Sequence, residues 1–401
     1  MRTMNIIVVY DFGHMNGGAA QVAISSAIAL RKAGNKVVYF CAVSPIDASL
    51  VSAGVKVICT HQLDIKTDPN IIRKTTQAIW NYKAQKELRI LLEDYSPSNT
   101  VVHFHGWFKA LSPSILTVPE KLGFCSFITL HDFFVYCPNG GLYNYQQNKI
   151  CDIFPMSKEC LLCNCDRDSY VNKLWRYLRN YVQNIVLKRL KRLTFISISD
   201  LSEREYKRCY RFQKNSNIRI SNPVTFPQKG NRDDADSYLF MGRLSNEKGV
   251  ELFCEAIRKT GVHGIVLGDG ALRGVLEKKY PDIEFAGWVS NDGKESFFRR
   301  AKVFVSTSVC YETFGLSVAE MLSVGIPCIV GDLTAAAELI NEGKNGLLFK
   351  TGDLDSLINA IKTLENNYLI YNHVEFDTSA YSVGDHVRNL LQAYTRGLSG
   401  C

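Results

Sequence analysis

The 401-residue sequence predicts an α/β protein made of two open parallel sheets, each with helices on both faces. Three observations predict it. The length exceeds one ordinary domain and suits two of about 150–200 residues. Apolar runs of strand length alternate with segments of helical periodicity, the pattern of a parallel sheet covered on both sides. The alternation halts at a basic helical stretch and then starts again.

In the first half, Ile6 to Tyr10 reads as a buried strand, followed by a loop containing Gly17-Gly18. Ala20 to Ala33 has the apolar period of a helix and stops at Gly34, and Val37 to Cys41 and Val55 to Cys59 are strands. Ile71 to Leu92 reads as one long helix, and Thr100 to His105 and Phe124 to Leu130 as strands. After the basic stretch come a strand (Phe195 to Ser199), a helix (Leu201 to Tyr210), a short strand (Ile218 to Ile220) before Asn222-Pro223, and a polar linker, Lys229 to Asp234. The second series runs strand Ser237 to Met241, helix Val250 to Lys259, strand Gly264 to Leu267, helix Ala271 to Lys279, and strands Ile283 to Ala286 and Lys302 to Ser306. Helix Ser317 to Val324, strand Ile326 to Val330 and helix Leu354 to Leu364 complete it. The expected division is an N-terminal domain over 1–193, a C-terminal domain over 194–384 and a last helix in 385–401. Ligands of such sheets sit beyond the carboxyl ends of the strands, so a cleft between facing domains is the expected site.

Hydrophobic residues at 46% and charged residues at 21% suit a soluble globular chain and argue against disorder. The apolar run Met4 to Tyr10 is short and lacks a small-residue cleavage site, and no run of about 18 apolar residues occurs, so neither a signal peptide nor a membrane span is expected. The expected location is the cytoplasm, with the inner face of the cytoplasmic membrane as a peripheral site. The net charge of +8 concentrates in a basic helix at about 170–192, which holds Lys173, Arg176, Arg179, Lys188, Arg189, Lys191 and Arg192 and no acidic residue. Interleaved Val171, Leu174, Tyr177, Leu178, Tyr181, Val182, Ile185 and Val186 make one apolar stripe. One reading packs that stripe on its own domain and leaves the basic face in solvent. The other makes the stretch a surface for anionic headgroups or a diphosphate-bearing acceptor. No recognised nucleic-acid module accompanies the charge, so nucleic acid is not an expected partner.

Thirteen cysteines, an odd number without a signal peptide, argue against a secreted disulfide scaffold. Five lie in an insertion at about 137–165. Cys160 and Cys163 have zinc-knuckle spacing, and Cys137 with Cys151 could complete a tetrahedral structural zinc site. Free thiols and disulfides are the alternatives.

The second domain holds the segment richest in chemistry. A strand ending at Ser306 feeds a loop with Glu312, then a helix starting near Gly315. Backbone N–H groups at that start favour a phosphate, and glycine lets the backbone approach it closely. Glu320 could hold a ribose diol, and Glu312 sits where the sugar of a nucleotide sugar would lie. In the loop Gly242 to Gly249, Arg243 and Lys248 can converge on a diphosphate and stabilise the charge that develops as it departs. No carboxylate pair for Mg²⁺ is evident, so no cofactor is expected for catalysis.

In this order the segments resemble glycosyltransferase family 4 of the bacterial surface-polysaccharide type, a retaining group with the GT-B fold, over nearly the whole chain. The residues are Gly17-Gly18, Gly242-Arg243-Leu244-Ser245-Asn246-Glu247-Lys248-Gly249, Val266-Leu267-Gly268-Asp269-Gly270, Phe285-Ala286-Gly287-Trp288-Val289, the stretch Glu312 to Glu320 with Phe314-Gly315-Leu316, and Asn345-Gly346-Leu347-Leu348-Phe349. The resemblance implies two facing Rossmann-like domains and a UDP- or GDP-activated sugar donor. It places Gly17, Gly18 and Gly268 near that donor, Arg243 and Lys248 on the diphosphate, Glu320 on the ribose and Glu312 on the sugar hydroxyls. It also implies that the last helix crosses back onto the first domain.

On the N-terminal side, Ile128 to Asp132 ends a strand with His131, where the family carries a functional histidine contacting the transferred sugar. A neutral imidazole could hold a sugar hydroxyl or relay a proton. His103, His105 and Asp132 are expected on the acceptor side. No carboxylate nucleophile stands out, which favours same-face attack with the leaving phosphate helping to take the acceptor proton. The basic helix suggests a glycan acceptor carried on a lipid. An epimerase of the same architecture and a catalytically dead sugar-nucleotide binder are the alternatives, against which the Gly242 to Gly249 and Glu312 to Glu320 motifs argue. A nicotinamide oxidoreductase lacks its G-x-G-x-x-G after the first strand.

Overall fold

The computed structural model describes residues 3–210, 215–228, 230, 232, 235–290, 293–371 and 374–400. Lys229, Asn231, Asp233 and Asp234 of the expected linker lie outside them. The chain forms two compact units, one of Met1–Gly141, Ile153–Pro223 and Ala380–Cys401, the other of Leu142–Asp152 and Val224–Ser379.

The first unit holds β1 (Asn5–Val9), β2 (Lys36–Cys41), β3 (Lys56–Cys59), β4 (Thr100–Phe104) and β5 (Cys125–Thr129). A hairpin of β6 (Tyr143–Asn144) and β7 (Lys149–Ile150) belongs to the second unit, and β8 (Leu193–Ser197) and β9 (Ser216–Arg219) return to the first. The sheet order is β3-β2-β1-β4-β5-β8-β9, and every neighbouring pair is parallel. The fully buried runs in β1, β4 and β5 are Val-, Ile- and Phe-rich, as strands covered on both faces must be. The boundary expected at 193/194 is corrected: β8 and β9 extend the first sheet through the pairs Ser126↔Leu193 and Thr194↔Ser216. The C-terminal helix Val383–Gly400 packs Leu390 and Tyr394 into the same core as Ile6, Ala27 and Phe127.

The long helix read from Ile71 to Leu92 is two helices, Ile71–Ile79 and Tyr82–Glu93. The break is Asn81, which is fully buried and accepts from the Ala84 N–H while its own Nδ2 donates to the Ala110 carbonyl at 2.8 Å. Such a residue caps a helix better than it continues one.

The basic helix, Tyr170–Leu187, is turned opposite to the reading that packs its apolar stripe inward. Lys173, Arg179, Asn180 and Gln183 are buried, whereas Val171 is 75% exposed, Leu178 51% and Tyr181 56%; at the end of the stripe Val186 is buried. The cause is a set of carbonyls that need donors. Arg179 donates to the Phe108 oxygen at 3.1 Å, and Asn180 and Gln183 both donate to the Phe134 oxygen at 2.8 and 2.9 Å. The Arg179 guanidinium also lies over the rings of Phe108, Phe134 and Trp175.

The second unit holds β10 (Ser237–Met241), β11 (His263–Leu267), β12 (Glu284–Gly287), β13 (Ala301–Ser306), β14 (Cys328–Gly331) and β15 (Gly346–Phe349), in the parallel order β12-β11-β10-β13-β14-β15. Its core gathers Tyr238, Phe253, Val266, Val305 and Leu357. The helix Lys294–Arg300 and strand β15 were not read from the pattern; each is short. Among the described residues, no helix is long and apolar enough to cross a membrane.

Candidate active site

In the second unit β10 and β13 are sheet neighbours, so the loops that leave their carboxyl ends run side by side. They are stitched together. The Val309 N–H donates to the Glu247 oxygen at 3.0 Å, and Thr307 Oγ1 donates to the Gly249 oxygen at 2.8 Å. This brings Lys248 Nζ to 2.5 Å from Glu312 Oε1, an oxygen that also accepts from the Ser308 hydroxyl. Burial opposes the charge on Glu312, yet Lys248 and Ser308 outweigh it and hold the carboxyl below its usual range. Burial likewise opposes the ammonium of Lys248, and Glu312 more than compensates, so its pKa rises. The pair is ionic. Ser308 was missed in the sequence, where nothing distinguishes it from Ser306 or Thr307.

Arg243 follows β10 with its side chain exposed, and it makes no ion pair or hydrogen bond among the described residues. Glu320 is half-buried on the helix Leu316–Ser323, its carboxylate has no partner among the described residues, and burial raises its pKa, with Lys294 partly offsetting. An unpaired, desolvated carboxylate is an acceptor ready for hydroxyl donors. Gly315 caps the same helix with φ +97° and no side-chain cap, and a Cβ there would stand 2.5 Å from the Ala336 methyl. Phe314 is buried beside it, and the first N–H groups of the helix, starting at Leu316, have no side chain capping them. Gly268, with φ +137° after β11, has no room for a Cβ against the Gly242 carbonyl, which lets the loops after β10 and β11 touch.

The first unit carries a group of histidines at the ends of β4 and β5. His105 Nδ1 lies 2.8 Å from His131 Nε2, with the rings stacked at 5.1 Å. His103 Nδ1 lies 2.6 Å from the Tyr394 hydroxyl and Nε2 lies 2.8 Å from Thr129 Oγ1. His386, from the C-terminal helix, donates through Nδ1 to the Ser221 oxygen at 2.8 Å, and its Nε2 lies 2.9 Å from the Ser26 hydroxyl. In the neutral ring the proton therefore sits on Nδ1. Burial, reinforced by neighbouring imidazoles, pushes His103 and His105 well below the usual range, His131 down to about 3, and burial alone pushes His386 down to about 4. Asp132 is pushed up to about 6 by burial, although the Phe134 N–H, Lys109 and Arg179 pull it back. His386 and Tyr394 escaped the sequence reading; their spacing on one face of the last helix with Leu390 marks a buried face, without saying what it meets. Gly17 stands at the start of the helix Gly18–Lys32, again without a side-chain cap.

The four cysteines expected to bind zinc do not fit it. Among the described residues no three His, Cys, Asp or Glu side chains are grouped to hold a metal ion. Cys160 faces Lys173. None of the five clustered cysteines is in a disulfide.

Residues 235–367 match the family model described as Glycosyl transferases group 1. That span contains Arg243, Lys248, Gly268, Glu312 and Glu320. A GDP-mannose-dependent alpha-mannosyltransferase of Corynebacterium glutamicum is 31% identical over 121 residues, which is 30% of this chain and 29% of that protein. The chain spans about a third of the length of the curated relatives it matches. Over its full length the fold is that of solved glycosyltransferase structures. Sucrose-phosphate synthase from Thermosynechococcus elongatus gives a TM-score of 0.71 at 18% identity, covering 99% of this chain and 100% of that one. HepE of Anabaena, in complex with UDP and glucose, gives 0.67 at 15% identity, covering 98% and 99%. The two parallel Rossmann-like sheets are thus those of the GT-B fold.

Proposed function

We propose that the chain is a retaining glycosyltransferase of the family 4 type, moving a hexose or hexose derivative from a nucleoside-diphosphate sugar to a hydroxyl of a lipid-linked glycan. The observation that carries this reading is the second unit's set of Lys248 paired with Glu312 and an unpaired Arg243 on loops at the carboxyl ends of parallel strands, with an unpaired, desolvated Glu320 on the helix that follows. In it Arg243 and Lys248 grip the diphosphate, with the uncapped helix start at Gly315 adding N–H donors. Glu320 accepts from the ribose diol, and Glu312 accepts from the sugar hydroxyls once Lys248 turns to phosphate.

The acceptor oxygen forms its bond to the anomeric carbon on the face from which the phosphate leaves. The carbon–oxygen bond to the diphosphate breaks, and the acceptor proton passes to the departing phosphate oxygen. Arg243 and Lys248 stabilise the charge that grows there. His131, neutral at pH 7, exchanges hydrogen bonds with a sugar hydroxyl without adding charge. His105 orients that ring, Asp132 lines the acceptor side, and His103, fully buried between Tyr394 and Thr129, packs behind them. UDP is favoured as the donor base; the mannosyltransferase relative named for GDP-mannose makes GDP the competing arm.

A lipid-borne acceptor is supported by the outward apolar stripe of the helix Tyr170–Leu187 and by exposed Lys188, Arg189, Lys191 and Arg192 after it. Apolar side chains beside cations suit the surface of an anionic bilayer and a peripheral location on its cytoplasmic side.

A thermal-shift screen of UDP- and GDP-sugars tests the donor, because a ligand held only by the folded state raises its melting temperature by mass action. One base class should stabilise the chain, and Arg243→Ala with Lys248→Ala should abolish the shift. No shift with any nucleotide sugar at millimolar concentration sinks the reading. Anomeric configuration of the product, read by NMR, decides retention against inversion.

A further inference from the structure

Lys173 is 1% exposed, and an ammonium so deeply buried needs a compensating partner. It has no carboxylate. Its Nζ contacts Cys165 Sγ at 3.1 Å and Cys160 Sγ at 3.3 Å, and these are its only polar partners among the described residues. Cys165 Sγ also accepts from Asn139 Nδ2 at 3.3 Å, so two N–H donors converge on one sulfur. A sulfur that accepts twice is arranged for the thiolate, which is the form peroxide attacks. Burial holds the Cys165 thiol above its usual range, and Lys173 offsets only part of that rise.

We propose that Cys165 and Lys173 form a peroxide-sensitive modification site, at which oxidation joins the cysteine sulfur to the lysine nitrogen. The Cys165 thiolate attacks hydrogen peroxide. A sulfur–oxygen bond forms, the oxygen–oxygen bond breaks, and the departing hydroxide takes a proton from Lys173 to leave as water. The sulfenic acid is uncharged, so the buried lysine has lost the anion that kept it protonated and now presents a free amine. That lone pair attacks the sulfur, a sulfur–nitrogen bond forms, the sulfur–oxygen bond breaks, and a second water leaves. Sulfur is oxidised by two electrons and peroxide is reduced to two waters. Reduction by excess thiol returns the thiol and the amine. Nζ, the atom in contact with the sulfur, is the nearest nucleophile, and Cys160 is the competitor.

The test treats the purified, reduced full chain with hydrogen peroxide and maps its tryptic peptides without reduction. The expected product joins the Cys165 peptide to one spanning Lys173, uncut at that lysine and two hydrogens lighter than the sum, and dithiothreitol restores cutting. Cys160→Ser should retain the link, and Lys173→Met should lose it. A Cys160–Cys165 disulfide with Lys173 still cut, a sulfinic acid alone, or unmodified thiols would each overturn the proposal. Should Lys173→Met fail to fold, the maps of the parent and of Cys160→Ser decide the matter between them.

Discussion

The two units solve opposite electrostatic problems. In the second unit, Lys248 and Glu312 sit in partial burial as a charged pair, with Arg243 and Glu320 left over as an unpaired cation and an unpaired acceptor. In the first unit, four imidazoles are buried so deeply that none holds a proton at neutral pH. The contrast teaches that one fold class can offer either fixed charge or fixed neutrality at the same strand ends. The difference depends on whether the loops bring unlike charges together or bury basic rings without a counter-charge. A departing diphosphate needs the first arrangement. A sugar hydroxyl next to a developing cationic carbon is better served by the second.

The largest expected effect breaks the charged side of the contrast. Arg243→Ala with Lys248→Ala should lower kcat/KM for the donor by about 10³-fold or more, since one lost donor to a developing oxyanion already costs about 10²–10³. Unaltered turnover would remove the second unit from the chemistry. On the neutral side, His131→Ala should lower kcat by about 10²-fold, in the range of a positioned proton-exchanging group. His131→Asn, which keeps a hydrogen-bonding side chain without a basic ring, should recover part of it if the imidazole works by hydrogen bonding alone.

Next in size is Asn81→Ala. It removes a helix cap and orphans the Ala110 carbonyl, for a loss of about 2 kcal/mol in denaturant unfolding. The pH dependence of stability is subtler. The histidines of the first unit bind protons more weakly folded than unfolded, so their contribution is complete above about pH 6.5 and is lost as pH falls, down to about 3 for His131 and about 4 for His386. Each contributes at most about 1.4 kcal/mol per pH unit in that window. Asp132, raised to about 6, and Asp11, raised by burial, act in the opposite sense above the ordinary aspartate range. Four histidines against two aspartates predict a melting temperature that falls below about pH 6, and His386→Gln should flatten that fall. The smallest effect on stability is Leu178→Ser with Tyr181→Ser, within about 0.5 kcal/mol for exposed positions. The same change should abolish sedimentation with anionic vesicles. A chain that sediments as before defeats the membrane reading, and one whose self-association drops instead assigns the stripe to a second copy.

Legibility in the sequence followed the range of the interactions involved. Strand β1 and the loop Gly242 to Gly249 were readable because burial on both faces and a turn of fixed spacing are local properties. The break at Asn81 depends on a carbonyl 29 positions away, at Ala110, and the apolar period runs through it without interruption. The basic helix shows the limit most clearly. Its periodicity gave the right element, but the facing was decided by the orphaned oxygens of Phe108 and Phe134, which no pattern within residues 170–187 records. His131 and Glu312 were located from their motifs, while their hydrogen-bond neighbours His105 and Ser308 follow from how the strand ends and loops fold together. The boundary at 193/194 was drawn where the pattern restarted, and a restart does not say which sheet the next strand joins.

The chain passes between the two units four times, after Gly141, Asp152, Pro223 and Ser379. Neither unit is therefore a continuous stretch of polypeptide. A fragment ending at Pro223 would leave the groove for Leu390 and Tyr394 open to water, and one beginning at Val224 would lack the hairpin of β6 and β7. Chimaeras that exchange donor preference between such enzymes would here have to trade an eleven-residue hairpin as well as the segment from 224 to 379, leaving the last helix with its original host.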